Sequence, residues 1–224
     1  MNRYCKGIRQ ILFGATLCVV IPTMGCRSLV ATRPAIPPAQ QSTELIEVKD
    51  VVPDVILDIR YATSNNFTGH AVYSSARCFL VKEAAYSLHE VESDLRPLGY
   101  RLKVYDGYRP LSVQKIFWQI MPDPRYVADP KVGSRHNRGY AVDISLTDLN
   151  GNDVPMPSAF DDFTERANPE YQDIPADAGR NREILRHAME SHGFTRLATE
   201  WWHFDYQGWE NKPILDIPVD RVGK

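Results

Sequence analysis

The sequence predicts an α+β fold, a mostly antiparallel central sheet with helices packed on one face. Three observations predict it. Short stretches at 51–61, 101–105, 140–146 and 202–206 alternate apolar with polar residues. Longer stretches at 81–95, after Pro110 and at 182–192 carry apolar stripes at helical spacing. Proline and glycine punctuate the joints between them. The 224 residues suit one domain with a real core, and 43% hydrophobic with 24% charged residues is ordinary globular composition. A formal charge of −2 leaves no basic footprint, so nucleic acid is not an expected partner. Nothing points to an obligate protein partner.

Residues 1–26 read as an export signal of the lipoprotein type. Arg3, Lys6 and Arg9 form a positive start, and 11–21 is an apolar run too short to span a bilayer comfortably. Thr23-Met24-Gly25-Cys26 resembles a bacterial lipoprotein processing site, with Cys26 as the lipidated residue and Thr23 where leucine is usual. The alternatives are a plain signal cleaved nearby or an uncleaved anchor. The protein is thus expected to be exported, periplasmic or envelope-anchored, touching a membrane only through this N-terminal anchor. Cys5 and Cys18 would leave with the signal, and Cys78 alone cannot form an internal disulfide. Residues 27–43, rich in proline, alanine and glutamine, read as a disordered tether. Residues 44–224 form the expected domain.

Within that domain, Val55, Leu57 and Ile59 alternate as a strand, followed by a polar turn at 63–69. Val81, Ala84, Ala85, Leu88, Val91 and Leu95 form one helical stripe, stopped by Pro97 and Gly99. His89 falls off the stripe and reads as a surface residue. Leu102 and Val104 mark the next strand, ending in Asp106-Gly107-Tyr108-Arg109-Pro110. Pro110 suits the first turn of a helix whose buried stripe is Val113, Ile116, Phe117 and Ile120. By position alone, Arg109 in this turn reads as a surface ion pair. Tyr140, Val142, Ile144 and Leu146 alternate with Ala141, Asp143 and Ser145. Residues 147–180 read as a long functional loop with short helical pieces. A helix over 182–192 buries Ile184, Leu185, Ala188 and Met189 and stops at Gly193. His187 and His192 are five apart, off the spacing of one helical face, and read as structural. In the last strand, at 202–206, His203 and Asp205 share a face.

Ser134-Arg135-His136-Asn137-Arg138-Gly139-Tyr140-Ala141-Val142-Asp143 and Glu200-Trp201-Trp202-His203 are the stretches that carry chemistry. Asp143 is a carboxylate inside an apolar strand, which demands a partner or a metal. Gly139 lets the loop bearing His136 fold back towards it. His136, Asp143 and His203 supply three ligands and Glu200 a spare base, the inventory of a catalytic zinc site with one zinc per chain. Arg109 is a candidate for steadying an oxyanion. On a regular strand, Glu200 and His203 would point to opposite faces, so Glu200 must lie at a turn or bulge just before it.

These stretches resemble the zinc D-alanyl-D-alanine dipeptidases, which include the enzymes of vancomycin resistance, within the D,D-peptidase and hedgehog-like fold group. The resemblance runs from Asp58 to Phe204. It takes in Asp58-Ile59-Arg60-Tyr61-Ala62-Thr63 and Asn66-Phe67-Thr68-Gly69 as well as the Asp106–Pro110 turn. It implies His136, Asp143 and His203 as zinc ligands, Glu200 as base and Arg109 as transition-state stabiliser, against the position-only reading of Arg109. It also implies Tyr61, Ser134 and Asp161 around a small D,D-dipeptide, with Asp161 meeting its ammonium and Asp162 as the rival. The implied activity is hydrolysis of D-alanyl-D-alanine in cell-wall peptide metabolism outside the cytoplasm. The rivals are a D,D-carboxypeptidase trimming peptidoglycan stem peptides and a non-catalytic zinc-stabilised wall-binding module.

Overall fold

The computed structural model describes residues 44–223. The expected export signal, its Cys26 and the tether at 27–43 lie outside the described residues.

The sheet is built around strand β5 (Ala141–Asp148), in which all but the last residue are buried. Alternation over 140–146 suggests one covered face, but both faces are covered. Its apolar residues Val142, Ile144 and Leu146 enter the core, while Asp143, Ser145 and Thr147 are buried on the other side. On one flank it pairs antiparallel with β4 (Tyr100–Asp106) and on the other with β7 (His203–Tyr206). Strand β6 (Phe194–Arg196) continues antiparallel beyond β7. On the opposite edge, β2 (Ile56–Leu57) runs parallel to β4, giving the order β2-β4-β5-β7-β6. The fold is α+β, but the sheet is mixed, which corrects the expected mostly antiparallel one. The cause is the long crossover between β2 and β4, which returns the chain in the same direction. That crossover contains β3 (Phe79–Val81), paired with β1 (Leu45–Glu47) in a small second sheet, and helix α2 (Lys82–Leu95).

Helix α2 follows its sequence pattern closely. Val81, Ala84, Ala85, Leu88, Val91 and Leu95 are all fully buried, whereas His89 is exposed. Each of the larger side chains stabilises the fold by about 1.5–3 kcal/mol on burial. A 3-10 turn at Arg96–Leu98 and Gly99 at φ 90° end the helix. Helix α2 packs on α4 (Ala176–Ser191) and on β4.

Three elements depart from the pattern. The strand expected over 51–61 shrinks to β2, between a helical turn α1 (Val48–Val51) and a 3-10 turn at Arg60–Ala62. Val55 and Ile59 are buried as the alternation requires, but the last ladder bond is donated by the Asp58 amide to the Val104 carbonyl. Helix α4 begins at Ala176 rather than 182, inside the stretch expected to be irregular. Two buried polar residues hide its period. Asn181 accepts from the Tyr100 hydroxyl (3.0 Å) and donates to the Pro155 carbonyl (2.9 Å), and Arg182 donates to the Tyr171 carbonyl (2.8 Å). In α3 (Leu111–Ile120), Val113 and Phe117 are buried, but Ile116 is only half-buried and Ile120 is 46% exposed. Gln114 is completely buried in their place, for a reason that lies in the site.

Candidate active site

Strand register assembles the centre. A bulge between Val104 and Asp106 of β4 sets Asp106 opposite Asp143, and β7 sets His203 opposite the same Asp143. Three ionisable side chains thus lie in a row across three strands. The fourth, His136, comes from a 3-10 turn at His136–Arg138 that Gly139 closes at φ 73°. A side chain at Gly139 would also meet Leu45 Cδ2 at 2.4 Å, so both backbone and space call for glycine there.

His136 Nε2 stands 3.1 Å from His203 Nδ1 and 3.3 Å from Asp143 Oδ1, and His203 Nδ1 stands 3.0 Å from Asp143 Oδ1. The far nitrogen of each ring is occupied. His136 Nδ1 lies 2.7 Å from the Gly107 carbonyl and His203 Nε2 lies 2.9 Å from Asp205 Oδ1. Assigned from these partners, the far nitrogens carry the protons. Two ring lone pairs and a carboxylate oxygen then converge with no proton between them, an arrangement that fits a cation. Among the described residues these three form the group able to hold a metal ion. Without one, burial disfavours a charged His203, but Asp143 and Asp205 outweigh it and push its pKa up to about 10. Burial likewise opposes ionisation of Asp143, yet His136 and His203 hold its carboxyl far below the usual range. A bound cation would displace the proton that the raised pKa keeps on metal-free His203.

Glu200 sits where the sequence argument requires, in a turn ahead of β7, with the His203 amide pointing to its carbonyl. Its Oε2 lies 4.0 Å from His203 Nδ1. Burial pushes its pKa up to about 8, against the pull of His203 and Arg109 and with the push of Asp143 and Asp161.

Arg109 is not a surface ion pair. Its Nε and Nη2 donate to Asp106 Oδ2 (3.0 and 2.8 Å), and its Nη1 donates to Gln114 Oε1 (3.0 Å). Its guanidinium lies over the Phe117 and Tyr61 rings at 4.7 and 5.3 Å. Asp106 in turn accepts from the Tyr73 hydroxyl (2.7 Å) and the Gly107 amide (2.8 Å). Burial works against the Arg109 charge, but Asp106 more than restores it. Gln114 also donates to the Ala128 carbonyl (2.8 Å), which explains its burial in α3. Sequence reasoning did not single out Asp106 or Gln114. The Asp-to-Arg spacing of three at a strand-to-turn junction was the available signal for Asp106.

Asp161 stands across the cavity. It accepts from the Tyr61 hydroxyl (3.0 Å) and the Phe67 amide (3.4 Å). Its φ is 59°, the one positive value outside glycine among the described residues. Left-handed backbone at a non-glycine residue costs of order 1–3 kcal/mol and tends to mark functional positions. Burial and the nearby Asp143 raise its pKa to about 7, against Tyr61, Phe67 and Arg109. Asp162 instead accepts from the Thr164 amide (2.9 Å) and does not line the cavity. Of the two, Asp161 is the one that lines the cavity. Ser134 lines the cavity and accepts from the His136 amide at 3.2 Å. His187 is exposed and His192 pairs with Asp94 at 2.7 Å, both away from the centre, as expected.

All eight residues implied by the sequence therefore face one cavity of about 250 Å³. That is below the roughly 300–1,000 Å³ of drug-sized sites, a size in keeping with a small ligand. Phe163, from the long loop, closes one side by packing on Phe67 (5.5 Å) and Tyr126 (5.1 Å).

A cation triad inside an α+β sheet, with a buried acid and a fixed arginine beside it, defines a metal-dependent hydrolase. The comparisons make this specific. Residues 41–220 match the Peptidase_M15 family, described as D-ala-D-ala dipeptidase, and the chain belongs to that family. It is 40% identical over 174 residues to the D-alanyl-D-alanine dipeptidase of Escherichia coli K12, covering 78% of this chain and 90% of that protein. The Enterococcus faecium D-alanyl-D-alanine dipeptidase is 34% identical over 179 residues, covering 69% and 87%. Among solved structures, a vancomycin resistance D,D-pentapeptidase in complex with Zn(II) aligns with a TM-score of 0.41 and 17% identity. It covers 62% of this chain and 78% of its own, a likeness too low to carry any inference.

Proposed function

We propose that this chain hydrolyses free D-alanyl-D-alanine with one zinc ion held by His136, Asp143 and His203. The observation that carries the reading is that one small cavity joins the cation triad, Glu200 and Arg109 to a carboxylate, Asp161, on its far side. A zwitterionic dipeptide presents its ammonium to such a carboxylate. Phe163 packs beside Phe67 at 5.5 Å on that side, which supports a short substrate over a longer chain.

Each side chain has a definite task. Asp161 and the Tyr61 hydroxyl receive the substrate ammonium and set its distance from the reacting carbonyl. Glu200 accepts a proton from the attacking water and delivers it to the leaving amine, a role for a carboxylate placed beside the triad, its Oε2 4.0 Å from His203 Nδ1. Arg109 donates to the oxygen that becomes negative as the carbonyl is attacked. It needs no reorganisation, because Asp106 and Gln114 already fix its guanidinium. Asp205 and the Gly107 carbonyl hold the two imidazoles so that their lone pairs face inward. When bound, zinc supplies Lewis-acid polarisation and lowers the pKa of a water in its open position towards ~7.

The test is hydrolysis by the zinc-loaded protein of free D-Ala-D-Ala and of a pentapeptide ending in D-Ala-D-Ala, with Glu200→Gln as control. Cleavage of the dipeptide alone, lost in the variant, is the expected outcome. Cleavage of the pentapeptide would move the chain to the D,D-carboxypeptidases. Cleavage of neither, with zinc bound, would leave a wall-binding module. We also propose that the enzyme works outside the cytoplasm, on dipeptides released from the cell wall. The basic and apolar N-terminal residues support this. Finding the uncleaved protein in the cytosol would refute it.

A further inference from the structure

Arg109 and His136 lie in two turns that no strand ladder joins. Arg109 lies between β4 and α3, and His136 lies in the 3-10 turn ahead of β5. The pairing of β4 with β5 ends at Asp106 opposite Asp143, so both residues stand beyond it. Among the described residues, three hydrogen bonds tie the two turns together. His136 Nδ1 meets the Gly107 carbonyl at 2.7 Å, and the Arg109 amide donates to the His136 carbonyl (3.1 Å). In the third, Asn137 Nδ2 donates to the Arg109 carbonyl (2.8 Å). The first two involve His136 itself. The third comes from a residue that does not line the cavity and has no task in the proposed reaction.

Asn137 is completely buried, and both ends of its amide are used. Its Oδ1 accepts from the Ser134 amide (2.7 Å) while its Nδ2 serves Arg109. The Ser134 amide can only donate and the Arg109 carbonyl can only accept, so these partners assign which way the side chain is turned. A carboxylate would offer Arg109 no donor, and a hydroxyl would offer one atom where two are used. The backbone of Asn137 makes a further link. Its carbonyl accepts from the Leu215 amide (2.8 Å), and the Leu215 carbonyl accepts from the Leu111 amide (3.1 Å). Pro110, between Arg109 and Leu111, has no N–H to fix the turn. The turn is therefore held on both sides of Pro110, and both holds lead to Asn137. Asp106 and Gln114 fix the Arg109 guanidinium, but they flank Arg109 in the same stretch of chain.

Resting on the dipeptidase reading, we infer that Asn137 is a positioning residue whose side-chain amide sets the spacing between His136 and Arg109. It thereby lines up the donor to the oxyanion with the cation triad.

The experiment is a double-mutant cycle in kcat on D-Ala-D-Ala, using zinc-loaded wild type, Asn137→Asp, Arg109→Met and the two combined. Fold and zinc content are checked by circular dichroism and elemental analysis, and rates are expressed per bound zinc. Asn137→Asp keeps the acceptor for Ser134 and removes the donor for Arg109. It is expected to lower kcat about 10²-fold, the scale of a misplacement of about 1 Å, with KM little changed because Asp161 and Tyr61 are untouched. In Arg109→Met the same substitution is expected to cost little more, since the group it positions is gone. Asn137→Ala, which removes the donor without burying a charge, is expected to show the same non-additivity. A fall in Arg109→Met as large as in wild type would show a merely structural role and overturn the inference. An unchanged kcat in both Asn137 variants would overturn it too, as would loss of fold or zinc by both, which would confine Asn137 to the architecture of the domain. Each of these results leaves the dipeptidase reading standing. A wild type inactive on D-Ala-D-Ala would overturn that reading and this inference with it.

Discussion

Replacing Asp106 by asparagine separates the charge that fixes Arg109 from the shape that fills its surroundings. The amide still accepts from the Tyr73 hydroxyl and the Gly107 amide, so β4 and its bulge keep their bonds. What is lost is the charge that receives Arg109 Nε and Nη2 at 3.0 and 2.8 Å. Asp106 is 1% and Arg109 8% exposed, so water does little to replace it. Removing one partner of such a buried pair costs about 3 kcal/mol or more. With a urea slope of roughly 2–3 kcal/mol/M, the unfolding midpoint should fall by about 1 M or slightly more. Arg109 would keep Gln114 and lean on Asp143, whose Oδ2 is already 3.8 Å from Nη2. A misplaced donor to a developing oxyanion costs about 10²-fold in kcat. The expected result on D-Ala-D-Ala is therefore a kcat lower by about 10²-fold with KM little changed, in a variant that still binds one zinc. A folded, zinc-loaded Asp106→Asn with kcat close to that of wild type would refute the argument, because an arginine freed from its anchor could not then be the donor that steadies the oxyanion.

Other perturbations test other parts of the site. Glu200→Gln should retain zinc while losing about 10²–10⁴-fold in kcat, read from D-alanine release. Asp161 should make substrate affinity depend on pH. Its carboxyl titrates near 7 and must be ionised to meet an ammonium, so KM should fall as pH rises through about 7, and Asp161→Asn should flatten the profile. The same raised pKa has the opposite effect on stability. The folded metal-free protein holds this proton more tightly than the unfolded chain. Its contribution to stability is therefore full below about pH 4 and lost as pH rises through about 7, visible as a wild-type-minus-Asp161→Asn difference in thermal midpoint. Gly139→Ala forces a side chain into φ 73° and against Leu45, and should destabilise the protein by about 1–3 kcal/mol in a denaturant titration.

Local patterns were the legible part of this chain. The stripe of α2 could be read residue by residue because every member is apolar and recurs at helical spacing. The turn at Glu200 followed from strand geometry alone, since a shared site with His203 is incompatible with a spacing of three on a regular strand. What could not be read depends on partners distant in sequence. The β4 bulge that aims Asp106 at Asp143 is a property of two strands in register and leaves no mark on either one. The start of α4 was hidden because Asn181 and Arg182 are buried through hydrogen bonds, so a period counted in apolar residues skips them. The parallel edge strand β2 was shortened by the turn that carries Tyr61 into the cavity. Position alone made Arg109 a surface residue, because the sequence does not show Phe117 and Gln114 folding back over it. Asp161 and Asp162 are adjacent and chemically identical, and they are told apart by the fold, through the left-handed backbone at Asp161 and its bonds to Tyr61 and Phe67.

In the proposed function, His136, Asp143 and His203 hold one zinc that works with Glu200 on D-alanyl-D-alanine. Its most direct test is to titrate the metal-free protein with zinc while following release of D-alanine. Activity is expected to rise in proportion to added metal and to level at one zinc per chain, with Asp143→Ala flat throughout. Zinc bound at one per chain by the wild type without any release of D-alanine would contradict it.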